Sequence, residues 1–245
     1  MVCVEPRRTF GTVAGLYERA RPTYPGALFA DLRALTEGGR LLEVGCGTGQ
    51  ATRALVDSGF DVTCVELSAE LAARARRNVP EAEIVVADAE RWQGGPFDVV
   101  CAFTAFHWLA DGFGTAARLL RDGGALAVVE THHVLGEDLY FAEAQEDYDA
   151  VVPHPDNRPP PRPDEIGELE LDERLFERVA TRRYEQTIEY SADEYIDVLA
   201  TYSGNIALPA AQRDELFRRL HARAAARGSV RKLYLFVLSV AYRPR

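Results

Sequence analysis

Residues Glu43-Val44-Gly45-Cys46-Gly47-Thr48-Gly49-Gln50 set three glycines at alternate positions between an apolar run and a helical pattern. Leu41 to Val44 reads as a buried strand, and Ala51, Ala54 and Leu55 share one helix face. A strand, a tight glycine turn and a helix start bring backbone close to a ligand. Glycine alone enters positive φ freely and has no Cβ in the way. Open α/β sheets bind ligands at the carboxyl ends of their strands, where this turn sits. The spacing is Gly-x-Gly-x-Gly. A dinucleotide fingerprint would want Gly-x-Gly-x-x-Gly, and Gln50 occupies its last place. A Walker loop is excluded too, because no Gly-Lys-Ser/Thr follows and Lys232 is the only lysine. The bland alternative is a βα turn that binds nothing.

The next strand adds to the case. Asp61-Val62-Thr63-Cys64-Val65-Glu66 is β-branched and ends in an acid 17 residues after Gly49 (66 − 49). An acid about 20 residues past the glycine turn accepts hydrogen bonds from ribose hydroxyls in nucleotide-binding α/β folds. The alternative for Glu66 is a solvated loop carboxylate. His107, in Phe106-His107-Trp108-Leu109, follows the fourth predicted strand. It is a base candidate, since imidazole alone titrates near neutrality unperturbed. A structural ring packed on Trp108 is the competing reading. His132 and His133, placed just past the fifth strand, rank second. No Cys or carboxylate stands at ligand spacing from them, so no metal is expected.

Further segments extend the pattern in order: Ala87-Asp88-Ala89-Glu90, Phe97-Asp98-Val99-Val100 and Leu120-Arg121-Asp122-Gly123-Gly124-Ala125-Leu126. With Glu43 to Gly49 and Glu66 they resemble the five motifs of class I S-adenosylmethionine-dependent methyltransferases. The similarity is to the small-molecule branch with trans-aconitate and ubiquinone-biosynthesis type enzymes. The Phe106 to Leu109 segment and Tyr17…Arg21-Pro22…Tyr24-Pro25 also look like this branch.

The resemblance implies S-adenosylmethionine as cofactor and in-line methyl transfer to an O, N or C nucleophile of a small molecule. It implies that Gly45, Gly47 and Gly49 let backbone approach the methionine part. Glu66 would hold the ribose, Leu67 the adenine face, Asp88 the adenine amino group, and Ala89 N–H the ring. Phe103, ending the fourth strand, is grouped with these cofactor residues. Tyr17 and Arg21 would clamp the cofactor's carboxylate, a task that suits the bidentate guanidinium. A sulfonium methyl is already activated, so the protein must chiefly align the reactants and exclude water. A base such as His107 is needed only for a tightly held proton. An NAD(P) oxidoreductase and a non-catalytic cofactor-binding protein on the same fold stay open as alternatives.

Composition sets outer bounds. The 245 residues carry a net charge of −10, which disfavours a nucleic-acid partner. The N-terminal residues Met1 to Arg8 lack the apolar region of a secretory signal. Leu233 to Tyr242 is too short to span a bilayer. Cys46, Cys64 and Cys101 fall on or beside buried strands without paired spacing, and with Cys3 read as reduced thiols of a cytoplasmic protein. No Asn/Asp-Pro-Pro-Tyr/Phe follows the fourth strand and no Pro-Cys occurs, against two nucleic-acid methylation chemistries.

The elements that must position these residues alternate. Two helices broken at Pro22 and Pro25 occupy residues 12 to 36. Strands 41–44, 62–66, 84–87, 99–103 and 125–131 then interleave with helices 48–57, 69–77 and 112–121. This predicts a doubly wound α/β sheet of seven strands, parallel but for an antiparallel final strand. Residues 136 to 152 predict a helix, and His154 to Pro163, with five prolines, a loop. A strand over 176–190, helices over 192–201 and 209–227, and a last strand over 232–242 complete the chain. A single methyltransferase domain over 1–245 is expected. N-terminal cap helices fill 1–36, a cofactor-binding half 37–131, an insertion or lid 132–175, and strands with cap helices 176–245.

Overall fold

The computed structural model describes residues 14–153 and 158–245. Cys3, residues 12–13 of the first expected helix and His154 to Asn157 of the Pro-rich loop lie outside the described residues. Seven strands form one sheet in the order β3-β2-β1-β4-β5-β7-β6. They are β1 (Arg40–Val44), β2 (Asp61–Glu66), β3 (Glu83–Val86), β4 (Phe97–Phe103), β5 (Leu120–Val134), β6 (Glu177–Tyr190) and β7 (Val230–Tyr242). β1 pairs in parallel with β2 and β4, with Leu41 beside Val62 and Val99. β2–β3 and β4–β5 are parallel as well, and the last strands are antiparallel. The order reverses at β1, between β2 and β4. That is the switch point at which a doubly wound sheet opens a crevice beyond its strand ends.

By internal contacts the chain divides into two compact units. The sheet unit comprises Thr23–Thr131, Glu168–Tyr184 and Phe236–Arg245. It contains helices α2 (Gly26–Ala34), α3 (Gln50–Asp57), α4 (Ala69–Asn78) and α5 (Gly112–Leu119). Its core joins Leu42, Val44, Val65, Val100, Leu119, Leu126 and Val128, all buried. Each such side chain contributes roughly 1.5–3 kcal/mol on leaving water.

Two boundaries here depart from the sequence expectation. α3 starts at Gln50, not Thr48, because its cap Gly49 sits at φ 90°, outside helical space. β5 starts at Leu120, where the expected helix 112–121 had two residues left. Phe97 pairs with Leu120 and Val99 with Ala125, so β5 advances five residues while β4 advances two. Gly123, at φ 68°, accommodates this bulge.

The helical unit comprises Met1–Pro22, His132–Gly167 and Glu185–Leu235. Its helices are α1 (Ala14–Ala20), α6 (Tyr140–Glu143), α7 (Gln145–Val151), α8 (Ala192–Ala200), α9 (Ser203–Ile206) and α10 (Ala210–Arg227). The single helix expected over 136–152 is two short ones meeting at Ala144. Tyr140, Phe141 and Tyr195 pack edge to face, and the Tyr140 hydroxyl donates to Leu220 O at 3.0 Å. Arg223 pairs with Asp147 at 2.7 Å and tethers α10 to α7. α8 starts on a capping box, in which Ser191 and Glu194 satisfy each other's backbone N–H groups.

Candidate active site

The glycine turn lies at the carboxyl end of β1, and its three glycines answer to three different constraints. Gly45 (φ 73°) donates to Val65 O at 2.8 Å; a Cβ there would stand 2.8 Å from Ala105 Cβ. Gly49 (φ 90°) caps α3, and a Cβ there would meet Val79 at 3.1 Å. Both are packing glycines. Gly47 (φ 58°) differs, since a Cβ there would meet nothing within 4 Å. Its backbone is the stretch of this turn open to a ligand.

Glu66 ends β2 and is 6% exposed. Its Oε2 accepts from Gly47 N–H at 2.9 Å and its Oε1 from Ser68 N–H at 2.8 Å. Glu66 is thus no solvated loop acid; it fastens the glycine turn to β2. A carboxylate offers about four lone-pair sites, so acceptor capacity is left for a ligand. Burial raises its pKa, while N–H groups of Ser68, Gly47 and Leu67 pull it back.

Beneath the turn, Glu43 is 1% exposed and accepts from Thr52 Oγ1 at 2.6 Å, bracing α3 against β1. Burial lifts its pKa to about 7, against the hydrogen bonds from Thr52 and Cys64 and with the help of Glu66's charge. Cys46, Cys64 and Cys101 are free and buried. Burial raises the Cys101 thiol most directly, and the charge of Glu43 adds to it.

The other expected cofactor residues of the sheet unit fall into two groups. Leu67 is partly exposed beside Glu66. Asp88 is also partly exposed, and its Oδ1 accepts from Glu90 N–H at 3.1 Å, so one oxygen closes its own turn. Ala89 is 6% exposed, with its carbonyl taken by Arg118 at 3.0 Å. Phe103 is 6% exposed, stacked on Phe29 at 5.6 Å and edge-on to Tyr24 at 4.9 Å. Its ring is committed to packing. Asp98 of the fourth motif is structural. It takes the Gly39 and Arg40 N–H groups at 2.9 and 3.0 Å, and the Arg121 guanidinium holds its pKa below the usual carboxylate range.

His107 lies on a 3₁₀ turn, Phe106–Trp108, after β4. Its ring tilts against Trp108 at 4.7 Å yet is exposed. Desolvation of its protein side lowers its pKa, and the charge of Glu130 opposes that shift. Sequence reasoning missed its neighbour Thr104, the one non-glycine residue with positive φ (55°) among those described. Such a conformation in a β-branched residue costs about 1–3 kcal/mol, and such strain gathers at functional sites. The Thr104 hydroxyl bonds Thr131 Oγ1 at 2.9 Å and Tyr24 Oη at 3.2 Å. Three hydroxyls thus meet at the carboxyl ends of β4 and β5.

The remaining expected residues belong to the helical unit. Arg21, following α1, donates to Thr201 Oγ1 at 2.9 Å and Thr201 O at 3.0 Å. Its guanidinium lies 4.9 Å from the Tyr17 ring centre and 4.5 Å from that of Tyr202. Tyr17 and Arg21 therefore stand together, with Tyr202 an unforeseen third member. His132 and His133 lie inside β5, not beyond it. His133 packs edge-on to Phe141 at 4.5 Å; burial, with the Lys232 charge, drives its pKa down to about 2. It stays neutral and is no proton acceptor near pH 7. Among the described residues no cluster of three or more His, Cys, Asp or Glu could hold a metal ion.

Comparison with known proteins points the same way. Residues 42–128 match the family model described as a methyltransferase domain. The chain is 34% identical over 125 residues to an uncharacterized methyltransferase of Mycobacterium tuberculosis, covering 49% of this chain and 51% of that one. It is 30% identical over 138 residues to a trans-aconitate 2-methyltransferase of Rhodopseudomonas palustris, covering 51% and 53%. The chain thus spans about half the length of the curated relatives it matches. Its fold resembles a candidate type II methyltransferase from Anaeromyxobacter dehalogenans, with TM-score 0.63, 23% identity and coverage of 92% and 99%. A Haemonchus contortus phosphoethanolamine N-methyltransferase in complex with S-adenosylhomocysteine gives TM-score 0.50 at 17% identity, covering 99% and 61%. Residues 42–128 thus resemble a methyltransferase domain, and the chain as a whole shares the Rossmann-like α/β fold of solved methyltransferases. No helix among the described residues is long and apolar enough to cross a membrane.

Proposed function

We propose that this protein transfers the methyl group of S-adenosylmethionine to a nucleophilic atom of a small molecule. The observation that carries the reading is the Gly47–Glu66 pair: open space in front of a positive-φ glycine backbone, beside a buried carboxylate with lone pairs to spare. Those groups suit the cofactor's amino-acid and ribose parts. When bound, the cofactor supplies a methyl group already activated by sulfonium. Gly47 lets backbone approach, while Gly45 and Gly49 hold the turn. Glu66 accepts from ribose hydroxyls, Leu67 covers the adenine, Asp88 Oδ2, which lies 3.9 Å from the Arg91 guanidinium, accepts from the adenine amino group, and Ala89 N–H donates to the ring. Phe103 shapes the pocket from the core side. Tyr17 and Arg21, together in the helical unit, are the pair suited to the cofactor's carboxylate. His107 accepts a proton when the acceptor carries one, its exposure leaving the ring open to a ligand.

The acidic composition supports a small-molecule acceptor over nucleic acid, and the buried free thiols support a reducing, cytoplasmic setting. The Gly49/Gln50 spacing argues against the oxidoreductase alternative. Calorimetry with S-adenosylhomocysteine and with NADH tests the cofactor. Micromolar binding of the first and none of the second is expected. NADH binding without S-adenosylhomocysteine binding overturns the reading. Label transfer from methyl-labelled cofactor across an acceptor panel separates an enzyme from a non-catalytic binder.

A further inference from the structure

One residue of the sheet unit is held in a conformation that its type resists. Thr104 follows β4 directly and sits at φ 55°, the one non-glycine residue with positive φ among those described. A β-branched side chain disfavours that region, because the two heavy atoms on Cβ crowd the backbone. A residue keeps such a conformation only where its surroundings over-determine it.

Here the surroundings are three hydrogen bonds. Thr104 N–H donates to Val129 O at 2.7 Å. Its hydroxyl lies 2.9 Å from Thr131 Oγ1 and 3.2 Å from Tyr24 Oη. β5 thus grips Thr104 twice, through Val129 and Thr131. Tyr24 grips it from the segment that leads into α2. That ring is itself fixed in the core, edge-on to Phe103 at 4.9 Å, Phe236 at 5.6 Å and Phe29 at 6.4 Å.

What the strain holds in place lies one residue further on. Ala105 comes so close to Gly45 that a Cβ on the glycine would stand 2.8 Å from Ala105 Cβ. The turn after β4 therefore packs against the glycine turn after β1, where the sheet opens its crevice. Returning Thr104 to negative φ would swing Ala105 away from Gly45 or into it, and a close-packed interior transmits such a shift. Gly45 in turn donates to Val65 O at 2.8 Å, and Gly47 to Glu66 Oε2 at 2.9 Å.

We propose that Thr104 is a positioning residue: the hydroxyls of Tyr24 and Thr131 pin it at positive φ, and so pinned it props the glycine turn, through Ala105, in the form that receives the cofactor. The cofactor clause rests on the methyltransferase reading; the prop itself does not. Tyr24, Thr104 and Thr131 then act as one unit, since neither partner reaches the glycine turn except through Thr104.

Two substitutions separate the hydroxyl from the shape. Thr104→Val keeps the β-branch and removes the hydroxyl, whereas Thr104→Ser keeps the hydroxyl. Amide hydrogen exchange without ligand is read at Gly45 and Gly47, relative to the amides of β1 and β4. Thr104→Val should speed exchange in the turn by about tenfold, the scale set by one or two ordinary hydrogen bonds. Thr104→Ser should stay within about threefold of native protein. Affinity for S-adenosylhomocysteine, from calorimetry on the same proteins, should fall about tenfold in Thr104→Val and return in Thr104→Ser. Tyr24→Phe and Thr131→Val each remove one tie and take the same measurement should Thr104→Val fail to fold. Their combined loss should not exceed that of Thr104→Val, because both act through one residue. Unchanged exchange at Gly45 and Gly47 in Thr104→Val or in the Tyr24→Phe/Thr131→Val double variant, even with a lowered Tm, would make the hydroxyls local structure only and overturn the proposal. Equal losses in Thr104→Ser would overturn it too. Native protein that binds no S-adenosylhomocysteine, with exchange responding as expected, would sink the methyltransferase reading and leave the prop standing.

Discussion

Glu66→Gln is the most direct test of the proposed cofactor site, because Glu66 braces the glycine turn and is also the proposed ribose acceptor. Its two oxygens already hold the Gly47 and Ser68 N–H groups at 2.9 and 2.8 Å. The amide keeps one acceptor oxygen and turns an NH₂ toward the other N–H. Leaving one buried N–H unmatched costs about 1–3 kcal/mol of stability. At this chain length each kcal/mol lowers Tm by roughly 2–4 °C. Cofactor binding should lose more than this brace. Hydrogen bonds from ribose hydroxyls to an ionised carboxylate are worth about 1.5–3 kcal/mol. That is about tenfold to a hundredfold in Kd for S-adenosylhomocysteine. Calorimetry well below Tm reads the affinity, and a melt on the same sample reads the brace. The pH dependence adds a check. Burial raises the Glu66 pKa, so the carboxylate is lost early as pH falls. Native affinity should fall with it, and the Gln variant should stay flat. A variant that melts lower yet binds S-adenosylhomocysteine unchanged would show that Glu66 only braces the turn.

Three further outcomes follow from the same geometry. Gly47→Val places a β-branched residue at φ 58° with its side chain in the open space, so S-adenosylhomocysteine binding should fall at least tenfold; near-native affinity in a folded variant would put the cofactor elsewhere. Glu43→Gln keeps an acceptor for Thr52 and removes a buried acid whose pKa is raised from 4.5 to about 7. A raised folded-state pKa gives stability that is full below 4.5 and lost as pH rises to about 7, worth about 3 kcal/mol at about 1.4 kcal/mol per unit. The Gln variant should therefore gain on native protein between pH 4.5 and pH 7, and parallel stability curves would contradict this. His107→Ala should reduce kcat by about 10²–10⁴ for acceptors whose proton it takes, with S-adenosylhomocysteine affinity kept. The native acid limb should lie below the ordinary imidazole range, since the His107 pKa is lowered; equal kcat at every pH removes His107 from the chemistry.

The sheet was legible where hydrophobic period and glycine spacing agree. β1, β2 and β4 and the turn at Gly45 to Gly49 fall within two residues of expectation, because buried parallel strands read as short apolar runs. Boundaries failed where local residue types mislead. Gly123 and Gly124 look like a turn between helix and strand, yet β5 has already begun at Leu120 and bulges through them. His132 and His133 end the apolar pattern but not the strand, which runs to Val134. Ser203-Gly204-Asn205 reads as loop and hides α9. The site was half legible on the same grounds. Glu66 and Gly47 carry an offset and a spacing. Thr104 does not, because nothing in a threonine announces positive φ. Its contact with Tyr24 joins residues 80 apart, and no periodicity encodes it.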